Sequence, residues 1–293
     1  MKTVVTNLTK VVATVVALSF TGAAAADQFY VNVGADFGGN ANTAAGATTT
    51  GWLDQLSIVY QSTSTITDAG SYGVADGVLS AGDSILSSGG VSNNVFNAFA
   101  DLGSNVINNF EPAAIGSSGP SNNGYLQGAT PWALTFGFTD LVGTWNGFGF
   151  DYTSGTISMY YYKDGMASVN DLVRLFDLEV SSGGDTGNST VLGGKLTNFG
   201  GAGAVNGVVD AGDVFVTKFG TFEDYASLPN NEVFFGASQD TQALGQLDFV
   251  NGVANVSGTH NGSINFQVPE PTSIAILGLG LLGMAGASRR KAK

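Results

Sequence analysis

Short runs in which apolar and polar residues alternate recur along the chain, and they constrain its fold more than any other feature. In one run, Leu134, Phe136 and Phe138 share a face. Residues 155–163 form the most aromatic run. Because successive side chains on a strand point to opposite faces, such runs predict strands that bury one face. The predicted strands are 28–33, 53–61, 132–138, 155–163, 172–180, 191–199, 213–219, 233–237 and 263–268.

Gly, Ser, Thr, Asn and Asp separate these runs, whereas Lys and Glu are scarce. Turn residues are therefore abundant and the helix formers of exposed faces are missing, which predicts an all-β fold. We expect one antiparallel β-sandwich, or a barrel-like domain, over residues 27–267. One exception is 92–108, where apolar residues at helical spacing predict a short helix. The predicted core includes Trp132, Phe136, Tyr160 and Phe176.

The first 26 residues have the three zones of a secretory signal peptide. Lys2 and Lys10 supply the positive region, and 11–20 is apolar. Small residues follow, with Ala24 and Ala26 at the positions that a signal peptidase reads. Cleavage after Ala26 would leave Asp27 as the new N-terminus, so the chain is expected to be exported by the Sec route.

The C-terminal residues 268–293 also fall into three zones. Val268, Pro269, Glu270 and Pro271 come first, and the prolines hold this element extended. An uncharged apolar segment, 272–287, follows, and it is shorter than the ~20 residues of a comfortable membrane span. A basic stop ends the chain, made of Arg289, Arg290, Lys291 and Lys293.

This tail resembles the PEP-CTERM sorting signal of Gram-negative bacteria in the order, spacing and position of its zones. The resemblance implies that an exosortase, a membrane transpeptidase, recognises the Pro-Glu-Pro element and removes the apolar helix and basic tail. It also implies transient insertion in the inner membrane, followed by secretion to the cell surface or extracellular matrix. The order of the zones favours this interpretation over an ordinary C-terminal membrane anchor.

Removal of both ends makes the remaining chain strongly acidic. Residues 27–271 keep four basic residues against all 23 acidic ones, a formal charge of −19. Such a surface repels nucleic acid phosphates, so no nucleic acid partner is expected. The chain also has no cysteine, and an exported protein without disulfides depends on its core, on bound ions or on partners.

Two segments of the chain echo one another, 76–83 and 206–213. Alignment of their glycines to position 6 of a calcium loop predicts weak calcium ligands at Asp76, Asp83, Asn206 and Asp213. However, the positions of the first two ligands carry no carboxylate in either copy. Asp-Gly and Asn-Gly turns between strands are therefore favoured over a dedicated cage. Weak calcium association with the acidic surface is expected without such a loop, and no other cofactor is.

No catalytic residues are predicted. The chain has no cysteine and a single histidine, His260. This composition excludes Cys–His catalytic pairs and multi-histidine metal sites. His260 stands among Gly and Asn and is expected in a surface loop, so a Ser-His-Asp triad is not favoured. The alternative is a secreted carbohydrate-active enzyme with two carboxylates, for which Asp140, near Trp132 and Trp145, is the best candidate. We therefore expect a protein that is not an enzyme.

The exported part also resembles PEP-CTERM proteins associated with bacterial flocculation. The likeness rests on Leu53-Asp54-Gln55, on segment 76–83 and on the aromatic strand 155–162. It implies an extracellular protein that promotes floc or biofilm formation within an exopolysaccharide matrix. Trp132, Trp145 and Tyr160 to Tyr162, where exposed, are candidates for stacking on sugars, although large alternating residues on strands usually face the core, which is the favoured interpretation.

Overall fold

The computed structural model describes residues 28–34, 44–70, 74–90, 109–112, 132–163, 172–186, 189–200, 203–229, 231–240 and 247–268. The predicted signal peptide, the predicted helix 92–108 and the tail from Pro269 onward lie outside these residues. The described strands are β1 Phe29–Val31, β2 Leu56–Thr67, β3 Ser84–Gly90, β4 Asn109–Pro112, β5 Trp132–Trp145, β6 Phe150–Lys163, β7 Val173–Asp185, β8 Ser189–Thr197, β9 Ala204–Val205, β10 Val209–Asp210, β11 Phe215–Thr217, β12 Gly220–Thr221, β13 Phe234–Asp240 and β14 Val253–Gln267. A short helix, α1 Phe222–Ser227, precedes β13.

Nine strands form one antiparallel sheet that closes on itself. Their order is β14-β13-β8-β7-β6-β5-β3-β2-β4, and β14 also pairs with β2, from Val253 with Thr67 to Ile264 with Leu56. Strands β3 and β4 share the space between β2 and β5, since both pair with those two strands. Closure leaves the long strands without a free edge. The predicted antiparallel all-β fold is confirmed, in its barrel-like form.

A strand is found at each predicted run, but the bounds differ. The run at 213–219 contains only the short β11, after a 3-10 turn that ends at Asp213, whereas several other strands are longer than the sequence pattern indicated. The run at 132–138 continues to Trp145, and the run at 263–268 covers only the last third of β14. The rest of β14 was missed because Gly, Asn, Ser and Thr are frequent in it. Such residues weaken strand propensity when they are considered locally. Here they pair with β2 over its whole length.

Three of the four predicted core residues have described side chains. Phe136 and Phe176 are buried, as predicted. Tyr160 is only half-buried, so its place in the core was predicted wrongly. Its neighbours Met159 and Tyr161 are buried instead, because they have the parity of β6 that faces inward. Trp132 lies in β5, but its side chain is outside the described set.

One end of the closed sheet is filled by an aromatic cap. Strands β1, β11 and β12 form a small antiparallel sheet there, and α1 follows β12 directly. Thr221 caps the helix, since its Oγ1 accepts a hydrogen bond from the Asp224 backbone N–H at 2.9 Å. Five buried rings meet at this end, with centroids 5.0–6.2 Å apart, and we call them the aromatic cap: Phe29, Phe176, Phe215, Phe222 and Phe266.

The opposite end of the sheet has a smaller core. There β2, β5, β7 and β13 end, while β3, β6, β8 and β14 begin. A separate apolar cluster lies at this end, made of Ile66, Ile85, Phe150 and Ala254. Because it does not merge with the main core, space remains between the two.

Candidate functional site

A cavity of about 350 Å³ lies inside the closed sheet, next to the smaller core. Its walls combine aromatic and aliphatic side chains with a compact set of polar ones. The apolar and aromatic lining consists of Tyr60, Ile66, Ile85, Phe138, Leu141, Trp145, Phe148, Phe150, Tyr152 and Val256. The polar lining consists of Ser62, Ser64, Ser87, Asp185, Thr190, Gln239 and His260, with Gly258 beside them. Mostly apolar walls with a few convergent polar groups are typical of small-molecule sites.

Serine hydroxyls form one part of the wall. Ser62 and Ser64 follow Tyr60 at steps of two along β2, so all three point into the cavity. Ser64 is the register partner of Ser87 on β3, and their hydroxyl oxygens are 2.7 Å apart. Small polar residues at inward positions of a strand leave the space that larger residues would fill.

His260 lies on this wall, in the middle of β14. Its ring stacks on Tyr60, its register partner, with centroids 4.8 Å apart and an angle of 24° between the planes. Its side chain is 15% exposed. The expectation that His260 occupies a surface loop was wrong, because the Gly and Asn residues around it belong to a paired strand and not to a turn.

His260 joins a row of hydrogen bonds. Its Nδ1 lies 3.3 Å from the Asp240 backbone oxygen, which can only accept, so Nδ1 is the donor of this contact. The Nε2 atom lies 2.8 Å from the Ser62 hydroxyl and, in the neutral imidazole, accepts a hydrogen bond from it. The Asp240 Oδ1 atom is 4.0 Å from Nδ1. Hydroxyl, imidazole and carboxylate thus follow in the order that a hydrolase uses.

The surroundings of Ser62 do not complete a hydrolase site. Residues 62–64 pair with β14 on one side and with β3 on the other. Their backbone N–H groups are therefore committed to the sheet and are not available to hold an oxyanion. The Asp240 carboxylate is also beyond hydrogen-bond distance of the ring. The row serves as a fixed polar wall.

Asp185 supplies the single carboxylate of the described cavity lining. It ends β7, and its Oδ1 accepts a hydrogen bond from the Thr190 hydroxyl at 2.5 Å. Its Oδ2 accepts one from the Phe150 backbone N–H at 2.9 Å. Both oxygens are thus held in place. Asp140, the best sequence candidate for an acid, is exposed and accepts the Thr156 backbone N–H at 2.9 Å, away from the described lining.

Two tyrosines of the cavity remain neutral over the ordinary pH range. Burial raises the pKa of Tyr60 far above its usual value, and the Tyr60 hydroxyl donates a hydrogen bond to Oε1 of Gln239. Burial, and then the nearby Asp185 carboxylate, raise the pKa of Tyr152 as well. The described lining of the cavity therefore combines neutral tyrosine hydroxyl groups with one imidazole and one carboxylate.

The first echoing segment, 76–83, is a turn region. Asp83 is fully buried (0% exposed), and its two oxygens accept the backbone N–H groups of Ala69 and Ser80, each at 2.8 Å. Asp76 is exposed, and its Oδ1 accepts the Val78 N–H at 3.0 Å. Both carboxylates thus hold the loop between β2 and β3.

The second echoing segment, 206–213, lies near the aromatic cap. Asn206 connects β9 to β10 with a positive φ of 51°, and its Nδ2 donates to the Val33 carbonyl at 2.6 Å. Asp213 is exposed at the end of a 3-10 turn. The two segments therefore do not come together. No group of three or more metal-ligating side chains occurs in the described part of the chain. Calcium association stays a prediction.

Comparison with known proteins explains the end of the chain. Residues 267–291 match the family model of the PEP-CTERM protein-sorting motif. The chain carries a PEP-CTERM sorting signal. The predicted resemblance of the tail is confirmed, and the motif indicates an exported, cell-surface protein that is sorted by an exosortase. No curated protein sequence and no solved structure gives a significant match to the chain.

The PEP-CTERM motif begins where the closed sheet ends. Gln267 is the last residue of β14, and Val268 is buried in the main core. Among the described residues, no helix has the length and apolarity that a membrane crossing requires. The apolar segment 272–287 lies outside them.

Proposed function

We propose that the mature protein binds exopolysaccharide in the extracellular matrix and promotes cell aggregation, as floc or biofilm, without turning over a substrate. The observation that carries this proposal is the cavity inside the closed sheet, which offers fixed hydroxyl groups and aromatic side chains but a single carboxylate in its described lining. Hydroxyl groups and rings are the groups that hydrogen-bond and stack on sugars. A retaining or inverting glycosidase needs a second carboxylate about 5–10 Å away.

Export and processing complete the proposal. The host is a Gram-negative bacterium, and the chain leaves its cytoplasm by the Sec route with cleavage between Ala26 and Asp27. The tail anchors it briefly in the inner membrane, with the basic stop on the cytoplasmic side. Exosortase then acts at Pro269-Glu270-Pro271. Mass spectrometry of the surface protein should find no peptide from Leu277 onward, and an intact Arg289-Arg290 tail there would contradict this step.

Charge suits the matrix role. At a formal −19 for residues 27–271, the domain stays soluble and repels other polyanions. Divalent cations, calcium among them, would bridge its carboxylates to an acidic polysaccharide, because a bound cation offsets the local repulsion. Exposed acidic residues such as Asp76 and Asp213 are available for such weak contacts.

Gene deletion tests the proposal. The deletion strain should disperse while it still makes polymer, and the parent gene should restore aggregation. A copy in which Glu270 is replaced by Ala serves as a control for sorting, since its folded domain is unchanged. If the purified protein cleaves the polysaccharide of its own host, and Asp185→Asn abolishes the cleavage, the protein is an enzyme and the proposal is wrong.

A further inference from the structure

We propose that the cavity binds a neutral sugar unit, which enters as the free end or a side branch of a polysaccharide. That this sugar belongs to a polysaccharide of the matrix rests on the proposed function. The proposal adds which part of the polymer is recognised and which chemical class of sugar is accepted.

The polar wall matches a polyhydroxylated ligand. Ser62, Ser64 and Ser87 each bring a hydroxyl with one donor and two acceptor lone pairs. The contacts of Ser62 with His260, of Ser64 with Ser87 and of Ser87 with Tyr152 use only part of this capacity. Because these partners hold the hydroxyls in fixed positions, little side-chain entropy is lost when a ligand binds.

Aromatic side chains form the adjoining part of the wall. Trp145 and Phe150 meet edge to face, with ring centroids 5.0 Å apart, and Tyr152 lies beside Phe150 at 6.5 Å. A pyranose has an apolar C–H face and polar edges. A cavity with rings on one side and hydroxyls on another fits both.

Charge decides which sugars are accepted. Asp185 is the one acidic residue among the described lining residues, and no Lys or Arg is among them. A uronic acid, a sugar phosphate or a fatty acid would place a second anion beside this carboxylate in a partly desolvated space, which is unfavourable. Neutral sugars avoid this repulsion. The volume of about 350 Å³ lies at the lower end of ligand sites and suits one or two rings.

The closed sheet decides which part of the polymer enters. The main core and the aromatic cap fill the other end of the sheet, so a chain cannot thread through. The position of Phe148 indicates where the cavity opens to solvent. Phe148 lines the cavity and is nevertheless 95% exposed, in the short turn between β5 and β6. An exposed aromatic at the mouth gives the next sugar ring a surface on which to stack.

Saturation-transfer difference NMR on the full-length purified protein tests this assignment. The probes are methyl glycosides of glucose, galactose and mannose, with glucuronic and galacturonic acids for comparison. At least one neutral glycoside should bind, and the acids at least tenfold more weakly. Ser87→Leu should weaken neutral binding at least tenfold by filling the cavity. Ser84→Leu, the same change at an exposed position of the same strand, should leave it unchanged.

A charge variant adds an independent readout. Asp185→Asn keeps the shape of the side chain and should raise the affinity for the uronic acids at least threefold. Asp151→Asn, on the exposed face of β6, removes the same charge outside the cavity and should not. Circular dichroism verifies that each variant is folded.

Three results would overturn the inference: none of the glycosides binds, Ser87→Leu binds as well as Ser84→Leu, or only an alkyl probe such as octanol occupies the cavity. These outcomes are separate from the fate of the proposed function. If glycosides bind as expected but gene deletion leaves aggregates intact, the cavity is a sugar site and the matrix role is wrong. If deletion disperses the cells but no glycoside binds, the matrix role stands and this site is wrong.

Discussion

Truncation of one ring in the aromatic cap should destabilise the whole domain. Phe215 is 1% exposed and packs on four other rings, with centroids 5.0 Å from Phe176, 5.4 Å from Phe222, 5.6 Å from Phe29 and 5.8 Å from Phe266. Phe-to-Ala changes in such cores cost about 3–5 kcal/mol, through lost burial and the cavity that remains. Four rigid neighbours limit the collapse of that cavity, so we expect about 4 kcal/mol for Phe215→Ala.

Urea unfolding followed by far-UV circular dichroism measures this loss. Folded domains have total stabilities of about 5–15 kcal/mol, so a loss of this size should lower the urea midpoint of unfolding by a quarter or more. The melting temperature should fall by roughly 10 °C for a domain of this size. Phe148→Ala is the matched control, because Phe148 is 95% exposed and its truncation should change stability by less than about 0.5 kcal/mol. Equal midpoints for the two variants would show that the cap does not support the closed sheet.

Three further substitutions test the turns and the helix by the same unfolding measurement. Asp83→Ala should cost about 1–3 kcal/mol, since the fully buried carboxylate that accepts the Ala69 and Ser80 backbone N–H groups is lost. The exposed control Asp76→Ala should cost less than about 0.5 kcal/mol, and equal costs would contradict the buried role of Asp83. Thr221→Ala should cost about 1 kcal/mol by removing the cap of α1, and no loss would mean that the helix needs no cap. Because Asn206 has a positive φ, Asn206→Ala should cost about 1–2 kcal/mol and Asn206→Gly should cost less. A larger cost for the glycine variant than for the alanine variant would contradict the turn conformation.

Local patterns predicted the strands well, because alternation is a property of neighbouring residues. They could not predict the closure of the sheet. Closure depends on the pairing of β2 with β14, which join residues as far apart in sequence as Tyr60 and His260. No local signal distinguishes a closed sheet from a sandwich in this case.

The cavity was missed for a related reason. Ser62 and Ser64 occupy inward positions of β2, where the pattern leads one to expect apolar residues. Gly258 and His260 face them from a segment that resembles a turn in composition. Their common role becomes visible only when the register places them side by side. The sorting motif, by contrast, is a linear signal and needed no structure to be recognised.

The position of the closing strand also orders events during secretion. β14 is the last described strand, and it must pair with β13 and with β2 before the sheet is complete. On the proposed export route, a chain that crosses the membrane from its N-terminus would wait with two unsatisfied strand edges until residues 253–267 emerge, and such edges invite aggregation. The sorting signal emerges immediately afterwards. On the proposed export route, completion of the fold and arrival at the sorting enzyme would therefore coincide.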